Sequence, residues 1–145
     1  MTTIQAMIRR IAREAERMFN KHGELPMIWL VNAPDEEFMM ITEVEETGAA
    51  KYDLTVRVRE FFREHNVTRY ARAYEAWISP DGQVRPRRIE RVMIDGEDSD
   101  QYLYAFRDIV RPATGKPYLT PLSKIERPAQ LGSRFVGLLP KDGVI

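Results

Sequence analysis

Glu75 is the side chain in this sequence best placed for acid–base chemistry. It lies within Thr68-Arg-Tyr-Ala-Arg-Ala-Tyr-Glu-Ala-Trp-Ile-Ser79, among small and aromatic residues. A carboxylate in such surroundings could have its pKa raised by desolvation and act as a general acid or base, or could hold a ligand's cation. Strand alternation puts Ala71, Ala73, Glu75 and Trp77 on one face, and Tyr70, Arg72, Tyr74, Ala76 and Ile78 on the other. The plainer account of Glu75 is an ion pair with Arg107 or Arg91 from an adjacent strand, because buried charges are usually paired. No second carboxylate stands at a spacing that supports acid–base catalysis. A pocket lined by Trp77, Tyr74, Tyr104 and Phe106 and gated by Glu75 and Arg107 would have the apolar walls and few polar groups usual in a small-molecule site.

Arginine and tyrosine concentrate in the same region. Tyr70, Arg72 and Tyr74, with Arg69 nearby and Arg85, Arg87, Arg88 and Arg91 beyond the next turn, are the residue types with which sheet surfaces neutralise phosphates and stack bases. Glu75, Glu90 and the acidic turn Glu97–Asp100 oppose that reading. A solvated, charged hairpin that discourages edge pairing accounts for the same residues.

Other chemistry lacks its spacing. Asp95-Gly-Glu-Asp-Ser-Asp100 clusters oxygens, but an EF-hand needs Gly at the sixth position and Glu at the twelfth, where this chain has Asp100 and Phe106. An exposed turn explains the acids. His22 and His65 each fall at an expected helix C-terminus, where the dipole favours an imidazolium. There is no His-Glu-x-x-His, Gly-x-Ser-x-Gly or Gly-rich phosphate loop, and Gly115-Lys116 reads as a turn before Pro117. Met39, Met40 and Met93 read as core filling. The sequence therefore points to no metal site, cofactor or catalytic motif.

The elements that position these residues follow from periodicity. Ile4, Met7, Ile8, Ile11, Ala15, Met18 and Phe19 form the apolar stripe of a helix over Thr3–His22, capped by Thr2 or Thr3 and closed by Gly23. Met27–Val31 and Glu37–Thr42, separated by Asn32-Ala-Pro-Asp-Glu36, read as a hairpin. The acidic stretch from Glu43 leads into a second helix over Glu46–His65, with Tyr52, Leu54, Val58, Phe61 and Phe62 as its buried face and Asn66 as its stop. Three strands follow: Thr68–Ser79, Arg88–Asp95 and Gln101–Arg111. Both faces of this meander are rich in aromatic and aliphatic side chains, so both need covering. After Pro112 the prolines at 117, 121, 128 and 140 impose an extended tail. That tail is expected to add an edge strand, lie across the exposed sheet face or dock on a neighbouring subunit.

At 145 residues, 43% hydrophobic and 30% charged, the chain is expected to form one soluble domain, with a core at 1–112 and the tail at 113–145. Twenty-two basic and 22 acidic residues leave no global field for a polyanion or a membrane. The absence of cysteine, of a signal-peptide pattern and of a long apolar run points to the cytoplasm. The expected fold is α+β: an antiparallel sheet of about five strands with two helices mainly on one face, in the order α-β-β-α-β-β-β. This order resembles the profilin-like, longin and roadblock arrangement, which implies helices on one side of a five-stranded antiparallel sheet, and the resemblance stops near Pro112. Fold does not carry function. With one meander face left open, the leading expectation is a non-enzymatic binding or scaffold domain that self-associates through a sheet face or its tail. A small-ligand site or minor enzyme around Glu75 and Trp77 is the alternative, and single-strand nucleic-acid binding through Tyr70, Arg72, Arg87 and Arg88 is a further one.

Overall fold

In the computed structural model, residues 3–43, 48–78, 89–128 and 138–140 are described. The first element, α1 (Ile4–His22), has the ends its sequence implies. The Thr3 hydroxyl accepts the Ala6 amide at 3.1 Å, and Gly23, at φ 76°, donates its N–H to Phe19 O at 2.7 Å. Glycine suits this left-handed closing position because a Cβ would be strained there.

The strands are β1 (Met27–Ala33), β2 (Glu36–Thr42), β3 (Arg69–Ile78), β4 (Ile89–Glu97), β5 (Tyr102–Val110) and a short β6 (Tyr118–Leu119); α2 (Gly48–Glu64) follows β2. They form one antiparallel sheet in the order β2-β1-β3-β4-β5-β6. The expected order of helices and strands is observed, and β6 adds a sixth strand.

The two helices lie on opposite faces of the sheet. Ile28 and Leu30 of β1, Ala71 and Ala73 of β3, Val92 and Ile94 of β4, and Leu103 of β5 pack with the α1 stripe of Ile4, Met7, Ile8, Ile11, Ala15 and Phe19. Trp29, Val31 and Tyr70 point the other way, onto Val58 and Phe62 of α2. The Trp29 and Phe62 rings meet edge to face with centroids 5.9 Å apart. This corrects the expectation of two helices mainly on one face. Consecutive residues of β1 are buried on alternate sides, so a strand at the centre of the sheet needs a helix over each. Within α2, Val58 and Phe62 are buried, whereas Tyr52, expected in the apolar stripe, is exposed.

Gly96 of β4 makes the approach of α1 possible. A Cβ there would lie 2.8 Å from Ile4 Cδ1 and 3.0 Å from Tyr70 O.

The described tail adds an edge, as one of its expected placements had it. Beyond β6, Thr120 N–H donates to Asp108 O, Ser123 N–H to Phe106 O, and Glu126 and Tyr104 exchange N–H···O bonds, at 2.9–3.0 Å. The side chains of Thr120 and Ser123 accept the Asp108 and Phe106 amides at 2.8 Å. Residues 118–126 thus hydrogen-bond along the outer side of β5, and Pro121, which has no N–H to donate, falls between the bonded positions Thr120 and Ser123. Leu119, Leu122 and Ile125 pack against the α1 layer, whereas Leu138 and Leu139 are buried in the α2 layer.

Candidate functional site

The strand register decides which candidate residues can act together. Glu75 stands opposite Val92, which stands opposite Arg107; Trp77 stands opposite Glu90. These belong to the α1 side. Tyr74, Met93 and Phe106 form a second row, and Arg72, Asp95 and Tyr104 a third, both on the α2 side. A pocket lined by Trp77, Tyr74, Tyr104 and Phe106 and gated by Glu75 and Arg107 is therefore not formed, because the sheet separates its members.

Glu75 has a structural partner that its sequence did not suggest. Its Oε2 accepts the Leu25 amide at 2.6 Å, tying the segment after α1 to β3. The expected arginines are engaged elsewhere: Arg107 with Glu16 of α1, and Arg91 with Asp108 at 2.6 Å while lying 3.8 Å above the Phe106 ring. Trp77 is 63% exposed at the far end of β3.

On the α2 side, Arg72 forms a fork with Asp95, Nε to Oδ1 at 2.8 Å and Nη2 to Oδ2 at 2.9 Å. Its guanidinium carbon lies 5.3 Å from the Trp29 ring and 4.9 Å from the Tyr74 ring. The Tyr102 hydroxyl also donates to Asp95 Oδ2. Burial works against the Arg72 charge, but attraction to Asp95 and the bonds to it exceed that penalty and hold its pKa well above the usual arginine value. Burial first, and the Asp95 charge second, push the Tyr70, Tyr74 and Tyr102 hydroxyls up. This is a closed arrangement: cation, anion and aromatic faces satisfy one another. Tyr70 is fully buried and Arg72 is spent on Asp95, so neither meets a nucleic acid; Arg87 and Arg88 lie outside the described residues. In the acidic turn, Asp98 Oδ1 accepts the Asp100 and Gln101 amides at 2.8 and 2.9 Å, local bonding that accounts for an aspartate there.

Open, concave surface is found instead between α1 and β2. A groove of about 520 Å³ is bordered by Glu14, Arg17, Met18, Lys21 and His22 along α1, with Ile28, Met39 and Ile41 among the residues of its floor. It exists because α1 sits over β3 and β4, leaving the edge strand uncovered on that side. Met39 is 44% and Ile41 60% exposed. Arg17 pairs with Glu14, and Arg10, further up the helix, with Glu37 at the start of β2. Lys21 and His22 form no ion pair among the described residues and project near the Ile41 end.

The α2 side of the same edge is apolar too. Phe38, Met40, Leu54 and Phe61 are half-buried there, and the Phe38 and Phe61 rings meet edge to face at 6.0 Å. The methionines at 39 and 40, read as core filling, are thus split between a surface groove and a half-covered layer. A sequence signal for this site existed in Phe38-Met-Met-Ile41, four successive apolar residues without the lysine or proline that guards edge strands.

In comparisons with known proteins, no family model, curated protein or solved structure matched the chain. Among the described residues no helix is long and apolar enough to cross a membrane.

Proposed function

We propose that this chain is a non-catalytic binding module that takes up a strand-forming segment of a protein at the bare edge of β2. The observation that carries the reading is an asymmetry between the two ends of the sheet. Beyond β5, residues 118–126 complete the hydrogen bonding and pack apolar side chains against the core. Beyond β2, no strand pairs among the described residues, and the β1–β2 register runs without a bulge from Met27↔Thr42 to Ala33↔Glu36. Sheets usually guard such an edge with charge, proline or a bulge; on β2 charge is confined to Glu36 and Glu37 at its start, and the run Phe38–Ile41 carries none of these guards, which makes it a template for another strand. Main-chain bonds to the edge supply affinity, and side-chain pockets on either face supply selectivity. The groove along α1 and the Phe38–Phe61 surface provide the two faces.

Selection of peptides from a random displayed library tests the reading. Selected peptides are expected to read as extended apolar segments, to perturb the NMR signals of Met39 and Ile41, and to lose binding in Ile41→Lys but not in Trp77→Ser. No enrichment, or binding unaffected by Ile41→Lys, would overturn it.

A further inference from the structure

We infer that the segment taken up at β2 is β2 of a second copy, paired antiparallel about a two-fold axis close to Met39, so that two sheets join into one. The inference rests on the binding role proposed for this edge and names its occupant. A strand added here meets apolar side chains on both faces: Met39 and Ile41 on the α1 side, Phe38, Met40 and Phe61 on the α2 side. The matching strand must therefore be apolar at consecutive positions rather than alternating. β2 itself meets that demand, with Phe38, Met39, Met40 and Ile41 in succession.

A two-fold axis at Met39 pairs Met39 with Met39 of the second copy, Phe38 with Met40, and Glu37 with Ile41. Paired residues fall on matching faces, because each pair sums to an even number and side chains alternate with period two. Phe38 and Met40 of each copy then meet beside the Phe61 ring, and the two Met39 side chains meet at the axis.

Charge follows the same symmetry. α1 runs alongside β2 with Arg10 at the Glu37 end and Lys21 and His22 at the Ile41 end. Antiparallel pairing carries Glu37 of one copy to the Ile41 end of the other, where the unpaired Lys21 and His22 project. Asp35 and Glu43 of opposite copies approach one another just beyond, which ends the pairing at Glu36 and Thr42. A seven-residue edge makes a small interface, so association is expected in the micromolar range rather than the nanomolar.

The test is sedimentation equilibrium of the full chain, with two variants at the axis. Met39 is partly exposed, so Met39→Lys and Met39→Glu are both expected to keep the wild-type circular dichroism. Each places like charges together at the axis and is expected to weaken dimerisation about tenfold or more, whereas an equimolar mixture of the two forms a heterodimer at least as tight as the wild type. Wild-type protein that stays monomeric at high micromolar concentration overturns the inference, as does a dimer indifferent to both charges or a mixture that does not recover. A monomer that still binds library peptides at Ile41 would discard the second copy and keep the binding edge. Failure of both measurements would discard both.

Discussion

Arg72 and Asp95 face each other across β3 and β4 with both guanidinium–carboxylate bonds made, at 2.8 and 2.9 Å, and with only 15% and 3% of their side-chain surfaces exposed. Removing one partner strands the other charge in the layer between Trp29 and Tyr74. Asp95→Leu is expected to cost about 3–5 kcal/mol, while Arg72→Met with Asp95→Leu together costs less than either single change, because no buried charge then remains. A double-mutant cycle by urea denaturation measures both.

The tyrosines around that pair set a limit at high pH. Burial holds the Tyr70, Tyr74 and Tyr102 hydroxyls above the usual phenol range in the folded protein. Their contribution to stability is fully present below the unfolded value and is lost as pH rises from there towards the folded ones, since the unfolded chain releases those protons first. Each such tyrosine is expected to remove about 1.4 kcal/mol per pH unit across that window. Urea midpoints should fall steeply between about pH 10 and pH 11. Phenolate absorbance should show Tyr70, Tyr74 and Tyr102 ionising together with unfolding.

Gly96 is expected to tolerate no side chain. Ile4 could shift a methyl group, but Tyr70 O belongs to the neighbouring strand and does not move freely. Gly96→Ala should destabilise by about 1–3 kcal/mol, through overpacking beneath α1. Substituting Ile4→Val in the same chain should recover part of the loss, as read by thermal denaturation.

Glu75 distinguishes a structural carboxylate from a chemical one. Glu75→Gln keeps an acceptor for the Leu25 amide and should cost little, whereas Glu75→Leu leaves that N–H unsatisfied and should cost about 1–3 kcal/mol. Hydrogen exchange at the Leu25 amide reports the difference directly: slow in wild type and Glu75→Gln, fast in Glu75→Leu.

The parts of this structure legible in the sequence are those where local signals agree. For α1, the cap at Thr3, the stripe from Ile4 to Phe19 and the stop at Gly23 all mark the same ends. The expected meander strands match β3, β4 and β5 to within two residues at each end, because turn residues bracket each apolar run. The face that receives α2 is not legible, since an amphipathic pattern says that a helix has a buried side and not which side of the sheet covers it. The expected order of helices and strands is observed, while the placement of both helices mainly on one face is not. The candidate residues failed for related reasons. Alternation already put Tyr74 and Glu75 on opposite faces, so one pocket could not contain both. The partner of Glu75 is a backbone N–H, which leaves no mark in residue identity. Exposure of Met39 and Ile41 depends on where α1 comes to rest, a tertiary fact invisible along the chain.

The joining of the first helix to the last strands also governs how the polypeptide comes off the ribosome. Arg107 reaches Glu16 across 91 positions, and Ile94, Leu103 and Ile109 complete the surface on which α1 rests. During synthesis α1 emerges before the β3 and β4 positions it rests on, so its apolar stripe is only partly covered, by Ile28 and Leu30 of β1, until those strands follow. Contacts this distant also make for slow collapse to the native state.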